Sequence, residues 1–383
     1  MIWQTTMRRP SRGVLSALSS ILALISCLAG CLKAQIDSQK PLRIDLRTVN
    51  GAIAFSRSLG VVFLDDSTIA VIYTSDAVDS GSLNSHLATI DLSTSSLRQR
   101  ALVALGRVEG DLTLIANGDH NLFVMLKQQA TLFDADLRIL KRQALPRPGL
   151  ARVFPDRNAI VVLPHDRSEA VRRIDTRSLE VSDLQAEAES PTEVSDGFSA
   201  RRTYRADSEP SLLVRARGEK WKPVALPVGQ GNWCCGPVFV STRVLVDGDQ
   251  HGRLYWVDAR TARSVETSMG EDHRSLKFIE PTPDGRRFAA VRIHWRWIWV
   301  PGEGSGRHEW RDGIQVYDVA TRKPIFTKDL DVSWWLSRSF GGSVAISPSG
   351  NRLLVYDKTT IDIYALPPMW FGLAGGEAAH AAR

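Results

Sequence analysis

Cysteine is scarce in this chain. It has four in 383 residues: Cys27 and Cys31 near the N-terminus, and the adjacent pair Cys234 and Cys235. No CxxC pair occurs, so dithiol exchange of that type is excluded. HExxH, HxH, GxSxG and phosphate-loop signatures are also missing, which removes the usual sequence marks of zinc hydrolases, serine hydrolases and nucleotide binders. No long stretch repeats its apolar residues every 3.6 positions, so helices do not build the body of the molecule. Basic residues are not clustered. The formal charge of +6 falls to about +3 once the three arginines of residues 1–30 are set aside, and no face for nucleic acid emerges.

What is present is an ordinary globular composition, 43% apolar and 23% charged, behind a distinctive N-terminus. Arg8, Arg9 and Arg12 precede an apolar run from Val14 to Ala29. Sixteen residues at 1.5 Å each are too short for a bilayer of about 30 Å, so the run reads as an export signal, not a spanning helix. It ends in Leu28-Ala29-Gly30-Cys31, which resembles the bacterial lipobox cut before a diacylated cysteine. The other reading is cleavage near Ala34, where Leu32 would be a poor −3 residue. The expected organisation is a signal over 1–30, a linker over 31–41 after a lipid-anchored Cys31, a folded unit over 42–367 and a loose tail over 368–383.

Internal repetition dominates the rest. A hydrophobic strand ending in aspartate recurs at Asp91, Asp134, Asp175, Asp258 and Asp318, at spacings of 43, 41, 83 and 60 residues. A four-stranded unit of about 40–45 residues accounts for the first two spacings. The third is two periods, and the fourth is one period plus an insertion of roughly 20 residues. An aspartate in such a turn accepts a hydrogen bond from the backbone two residues on, which explains its recurrence without catalysis. Upstream in each unit stands a tight turn feeding an apolar strand, clearest in SPSGNRLLVYD and TPDGRRFAAVR and looser in FPDRNAIVVLP and FLDDSTIAVIY.

These S-P-x-G-x-R-L and Y-D-x-x-T-x-K elements resemble the WD-repeat-like and YVTN-type β-propellers of exported bacterial proteins. The resemblance covers about 42–367 and concerns the fold, since the Gly-His and Trp-Asp dipeptides of true WD repeats are missing. It implies an all-β chain with seven blades over approximately 58–103, 110–146, 150–187, 192–227, 236–270, 275–330 and 342–367. Six or eight blades are the alternatives, because 192–227 is divergent. The last blade has three strands of its own, and the orphan LRIDLRT near the N-terminus supplies the fourth, closing the ring without a long unpaired edge.

If strands run a to d from axis to rim, one face of the disc carries the b–c and d–a loops, and three unusual features map there. The first is the insertion in blade six, RIHWRWIWVPGEGSGRHEWRDGI, which reads as an extended hairpin. Trp295, Trp297 and Trp299 alternate along one arm at about 7 Å intervals, His294, Arg296 and Ile298 fall between them, and Trp310 returns on the other arm. This ladder either grips a sugar, peptide or partner surface or covers a blade edge. The second is Trp233-Cys234-Cys235 between blades four and five. In an exporting compartment the vicinal thiols either form a strained bridge, a stiff knuckle beside Trp233, or stay reduced. The third is Trp334-Trp335 between blades six and seven.

In quinoprotein dehydrogenases, which are also propellers, a vicinal disulfide packs on pyrroloquinoline quinone. Their repeated tryptophan-docking motif and calcium-binding Asn/Glu set are missing here, so no cofactor is expected. His86, His165, His251, His294 and His308 fall near b–c turns on separate loops, so no metal site is expected either; only His294 and His308 share a hairpin. Glu280, Asp65 and Asp156 follow inner strands and read as turn formers. The expected function is non-enzymatic binding or scaffolding in the bacterial cell envelope. The partner would be an envelope protein or glycan, and the membrane would be touched only through the lipid anchor. The alternative is a propeller lactonase, lyase or glycan hydrolase with acids converging on the central channel.

Overall fold

Short runs of β-branched and aromatic residues, punctuated by Asp, Pro and Gly turns, form 28 strands and no helix among the described residues. The structure is a computed structural model. It describes residues 40–45, 55–75, 84–93, 98–106, 112–126, 128–145, 149–164, 171–184, 193–205, 208–226, 237–249, 252–269, 274–299, 306–330, 343–357 and 360–368. The chain divides into two units, Met1–Pro41 and Leu42–Arg383. Cys31 and the expected signal and tail lie outside the described residues.

The strands pair into seven antiparallel sheets of four. Blades one to six span Phe55–Gly106, Leu112–Ala144, Gly149–Leu184, Glu193–Pro223, Val238–Ser268 and Arg274–Leu330. Blade seven takes Ser343–Ile346, Arg352–Asp357 and Thr360–Ala365 from the C-terminal end and Leu42–Asp45 from the N-terminal end. The fold is therefore a seven-bladed β-propeller closed by its first strand, and the divergent blade four is complete.

Closure has a physical basis in both backbone and side chains. Leu42–Asp45 pairs with Thr360–Ile363 over four residues, and its Ile44 is fully buried with Val61 and Phe63 of blade one and Leu354, Tyr356 and Ile361 of blade seven. Neighbouring blades are also stitched at the a–b turns. Arg352 Nη1 donates to the Asp66 carbonyl at 2.8 Å, and His120 Nδ1 donates to the Leu64 carbonyl at 2.8 Å.

The recurrent aspartates do what their spacing implies. The Oδ1 atoms of Asp91, Asp134, Asp175 and Asp258 each accept the amide of the residue two positions on, at 2.7–2.9 Å, while Asp318 accepts the Thr321 amide at 2.7 Å. Partial burial alone would raise the carboxyls of Asp175 and Asp258. Hydrogen bonds to the charged form outweigh it, and both are held below the usual carboxylate range.

In five of the seven blades the a–b turn places one residue in the left-handed region. In blades six and seven it is Gly285 (φ 67°) and Gly350 (φ 72°). At Gly285 a side chain would also meet the neighbouring blade, because a Cβ there would lie 2.7 Å from Ser241 Cβ and 3.1 Å from its Cα. Gly285→Ala is expected to cost roughly 1–3 kcal/mol, read as a lower midpoint in urea; an unchanged midpoint would show that blades five and six separate freely.

Candidate functional site

Strand direction alternates within every blade, so the b–c turns and the d–a connections share one face of the ring. On that face blade six departs from the others. Its strands b and c, Arg287–Trp299 and Gly306–Asp318, have 13 residues each, against five to nine for strands b and c elsewhere. Strand a pairs with strand b as far as His294, and strand d pairs with strand c as far as Asp312. Beyond those points Trp295–Trp299 and Gly306–Arg311 pair only with the opposite arm among the described residues. The result is a two-stranded ribbon of about 17 Å.

The root of the ribbon is anchored in the blade. Arg292 is 3% exposed, and its Nη2 donates to Asp329 Oδ1 at 2.7 Å. Its register partner is Gly313, where a Cβ would lie 2.7 Å from the guanidinium Nε. A side chain at Gly313 would displace Arg292, so glycine is required there by close approach and not by φ.

Register orders the two arms. Trp295 stands opposite Trp310, Trp297 opposite His308, and Trp299 opposite Gly306. The intervening pairs are His294 with Arg311, Arg296 with Glu309, and Ile298 with Arg307. Cross-strand partners share a face and successive residues alternate, so the four tryptophans and His308 belong to one face and the three arginines and His294 to the other. His294 and His308 share this hairpin without being register partners. The length of the ribbon tip sets a register in which they lie on opposite faces, three steps apart.

Strand d of blade four, Lys222–Pro223, and strand a of blade five, Val238–Phe239, have their facing ends on the ribbon's side of the ring. Trp233, Cys234 and Cys235 fall between them, outside the described residues, as do Trp334 and Trp335 between blades six and seven. His165 and His251 are outside as well. His86 belongs to strand c of blade one, where its ring stacks on Tyr73 at 5.5 Å.

The axis holds a separate cavity of about 260 Å³. Val62, Ile115, Phe154, Phe239 and Ile279 give it apolar walls, and Glu193, Glu280 and Arg157 give it charge. Arg157 occupies the left-handed turn position that glycine holds in blades six and seven, at φ 58°. From blade three its Nη2 reaches Glu280 Oε1 of blade six at 2.9 Å and the Pro281 carbonyl at 3.3 Å. Burial raises the Glu280 carboxyl, and the charge and hydrogen bond of Arg157 oppose that rise. Its side chain is 32% exposed, and that exposure is to the channel, where walls of protein replace bulk water. Glu280 is thus a channel residue held by an ion pair and not a turn former. Asp65 and Asp156 are turn formers, accepting the amides of Ser67 and Asn158. The visible signal for Arg157 was FPDRN standing where TPDGR and SPSGN carry glycine.

Among the described residues no group of three or more His, Cys, Asp or Glu is placed to hold a metal ion. A wider depression of about 530 Å³ on the turn face lies between blade six and Pro367-Pro368. Thr321 Oγ1 donates to Asp318 there and Arg287 Nη1 donates to the Gly350 carbonyl, while Arg287 Nε is buried with no hydrogen-bond partner among the described residues.

No family model and no curated protein sequence matches the chain. Among solved structures it is similar to the C-terminal WD40 domain of Sif2, at 11% identity and a TM-score of 0.47, covering 86% of this chain and all of that one. The RRP9 WD40 repeats match at 13% identity and 0.49, covering 86% of this chain and 99% of that one. An oligogalacturonate lyase in complex with manganese matches at 14% and 0.48, covering 82% and 99%. These likenesses concern the fold.

Proposed function

We propose that this chain is a non-enzymatic binding or scaffolding propeller of the bacterial cell envelope. In this reading it is exported by its N-terminal signal and tethered through an acylated Cys31. It docks an envelope protein or glycan on the b–c and d–a face, with the ribbon of blade six as the main contact. The observation that carries this reading is the ribbon itself. It extends strands b and c beyond the sheet that supports them, and it concentrates four of the chain's 11 tryptophans on one of its faces. Tryptophan supplies large contact area at low entropic cost, which suits recognition more than blade stability.

Channel catalysis by a lactonase, lyase or hydrolase is less well supported. Its most accessible carboxylate, Glu280, is tied to Arg157, and the opposing charges cancel where an acid or base would need to act.

A photo-crosslinking residue at Trp297, introduced in cells, is expected to trap discrete envelope adducts. The same residue at Leu140, which is 52% exposed on the rim of blade two, serves as the control. Equal adduct patterns at the two sites would refute the docking role of the ribbon.

A further inference from the structure

Arg157 uses its turn position differently from its counterpart in blade two. His120 holds the same left-handed position there, and its ring bonds the Leu64 carbonyl of the adjoining blade. Arg157 reaches past its neighbours, across the axis, and meets Glu280 and Pro281 of blade six. Both of its contacts use Nη2, and Glu280 accepts with Oε1. Nη1 and Nε of the guanidinium and Oε2 of the carboxylate take part in neither. The ion pair therefore keeps an unused donor edge beside an unused acceptor oxygen.

The cavity of about 260 Å³ that holds this pair lies at the a–b end of the axis. Phe154, Pro155 and Arg157 belong to the a–b turn of blade three, and Glu280 and Pro281 end strand a of blade six. Its volume falls just short of the roughly 300–1,000 Å³ that suits drug-sized ligands, so a smaller molecule fits it. Charge narrows the class. Arg157 and Glu280 sum to zero, and Glu193, the other acid on the wall, is 6% exposed and engaged in an interaction of its own. A ligand with one charge would bring an unmatched ion into a protein-walled space, and a hydrocarbon would leave both polar edges without partners. A small zwitterion meets both demands. In an α-amino acid a single carbon separates carboxylate from ammonium, which matches a donor and an acceptor already in contact at 2.9 Å. The rest of the wall, Val62, Ile115, Phe154, Phe239 and Ile279, selects an apolar side chain.

We propose that the a–b end of the channel binds a single α-amino acid with an apolar side chain. Its carboxylate takes the unused edge of Arg157, its ammonium takes Oε2 of Glu280, and its side chain lies against Phe154, Phe239 and Ile279. The Arg157–Glu280 contact stays intact, so the site binds without bond chemistry. It is independent of the docking reading, because it uses no residue of the ribbon.

The test titrates the full-length protein calorimetrically with L-leucine, isoamylamine and isocaproate. The last two keep leucine's side chain and carry one charge each. Leucine is expected to bind about tenfold or more tightly than either, the worth of one charged hydrogen bond. Photo-leucine, the diazirine analogue, is expected to label peptides containing Phe154, Phe239 or Ile279 and to be displaced by leucine. Glu280→Gln should weaken leucine about tenfold or more without weakening isocaproate. Arg157→Gly, which places here the residue that blades six and seven carry at this turn, should weaken leucine without weakening isoamylamine. Several results overturn the assignment: equal affinity for leucine and either analogue, labelling confined to peptides outside the channel, or leucine affinity unchanged in both variants. Neither heat nor labelling at about 10 mM leucine or photo-leucine overturns it as well. The analogue comparison and the labelling use unaltered protein, so they decide the matter even if a variant misfolds. Leucine binding without ribbon crosslinks would remove the docking reading and leave this site standing.

Discussion

Replacing Asp247 with alanine is expected to destabilise the ring by about 3–5 kcal/mol in urea titrations. Asp247 is fully buried between blades four and five, where it accepts a hydrogen bond from the Arg202 guanidinium, whose side chain is 5% exposed. Removing the side chain takes a hydrogen-bond partner from the buried Arg202 guanidinium and leaves the space it filled, and breaking a buried pair on one side costs more than the intact pair contributes. The pair itself is not a strong net stabiliser. Exchanging both partners together, Arg202→Met with Asp247→Leu, should therefore recover most of the loss. The remaining deficit, about 1 kcal/mol, belongs to the Gly248 amide, which donates to Asp247 Oδ1 at 2.9 Å. If the double exchange is as damaging as D247A, the account of a pair broken on one side is wrong.

The same carboxyl makes a pH prediction whose sign follows from its environment. Burial pushes Asp247 up to about 6 from its ordinary 3.8, against the opposing attraction of Arg202. The folded state therefore binds this proton more tightly than the unfolded state. Its contribution is fully present below 3.8 and is lost as pH rises through about 6. Asp247→Asn should flatten that part of the stability profile, and only that part.

The second large effect is at the closing strand. Ile44→Ala should cost about 2–5 kcal/mol, because the side chain is wholly enclosed in the core shared by blades one and seven. Its neighbour makes a useful contrast. Arg43 forms a two-pronged ion pair with Asp362, with both contacts at 2.7 Å, yet its side chain is 67% exposed. Solvent screens such a pair, so Arg43→Ala should cost less than about 1 kcal/mol. Similar losses from both substitutions would mean that the ring is closed by the ion pair and not by burial.

The fold was legible because its signals are local. An aspartate that must accept an amide two residues on is constrained to one position per blade, so Asp91, Asp134 and Asp175 mark the period directly. The three-stranded final blade and the orphan LRID needed only to be matched to each other. The blade-six insertion was legible as excess length, which the 13-residue strands Arg287–Trp299 and Gly306–Asp318 bear out. The relation between the arms was not legible, because register depends on the tip, and a shift of one residue would exchange faces. Arg157 with Glu280, 123 positions apart, and Arg202 with Asp247, 45 apart, escaped for another reason. Their partners are chosen by the ring, and as residue types they are indistinguishable from surface charges. Glu280 looked like part of a turn because Pro281 follows it, although its place is at the end of an inner strand.

The strand that closes the ring is also the first to feel a pull on the N-terminus. It is held on one edge by four residue pairs, and nothing in the sequence covalently joins it to the blade it completes. Tension applied there would load those pairs in shear, and once they slipped, Ile44 would leave its socket and the outer edge of the Thr360–Ala365 strand would be bared. Hung from its first residues, the propeller would carry a mechanical fuse at a known seam, while the remaining six sheets, each continuous within itself, would be spared until that seam had parted.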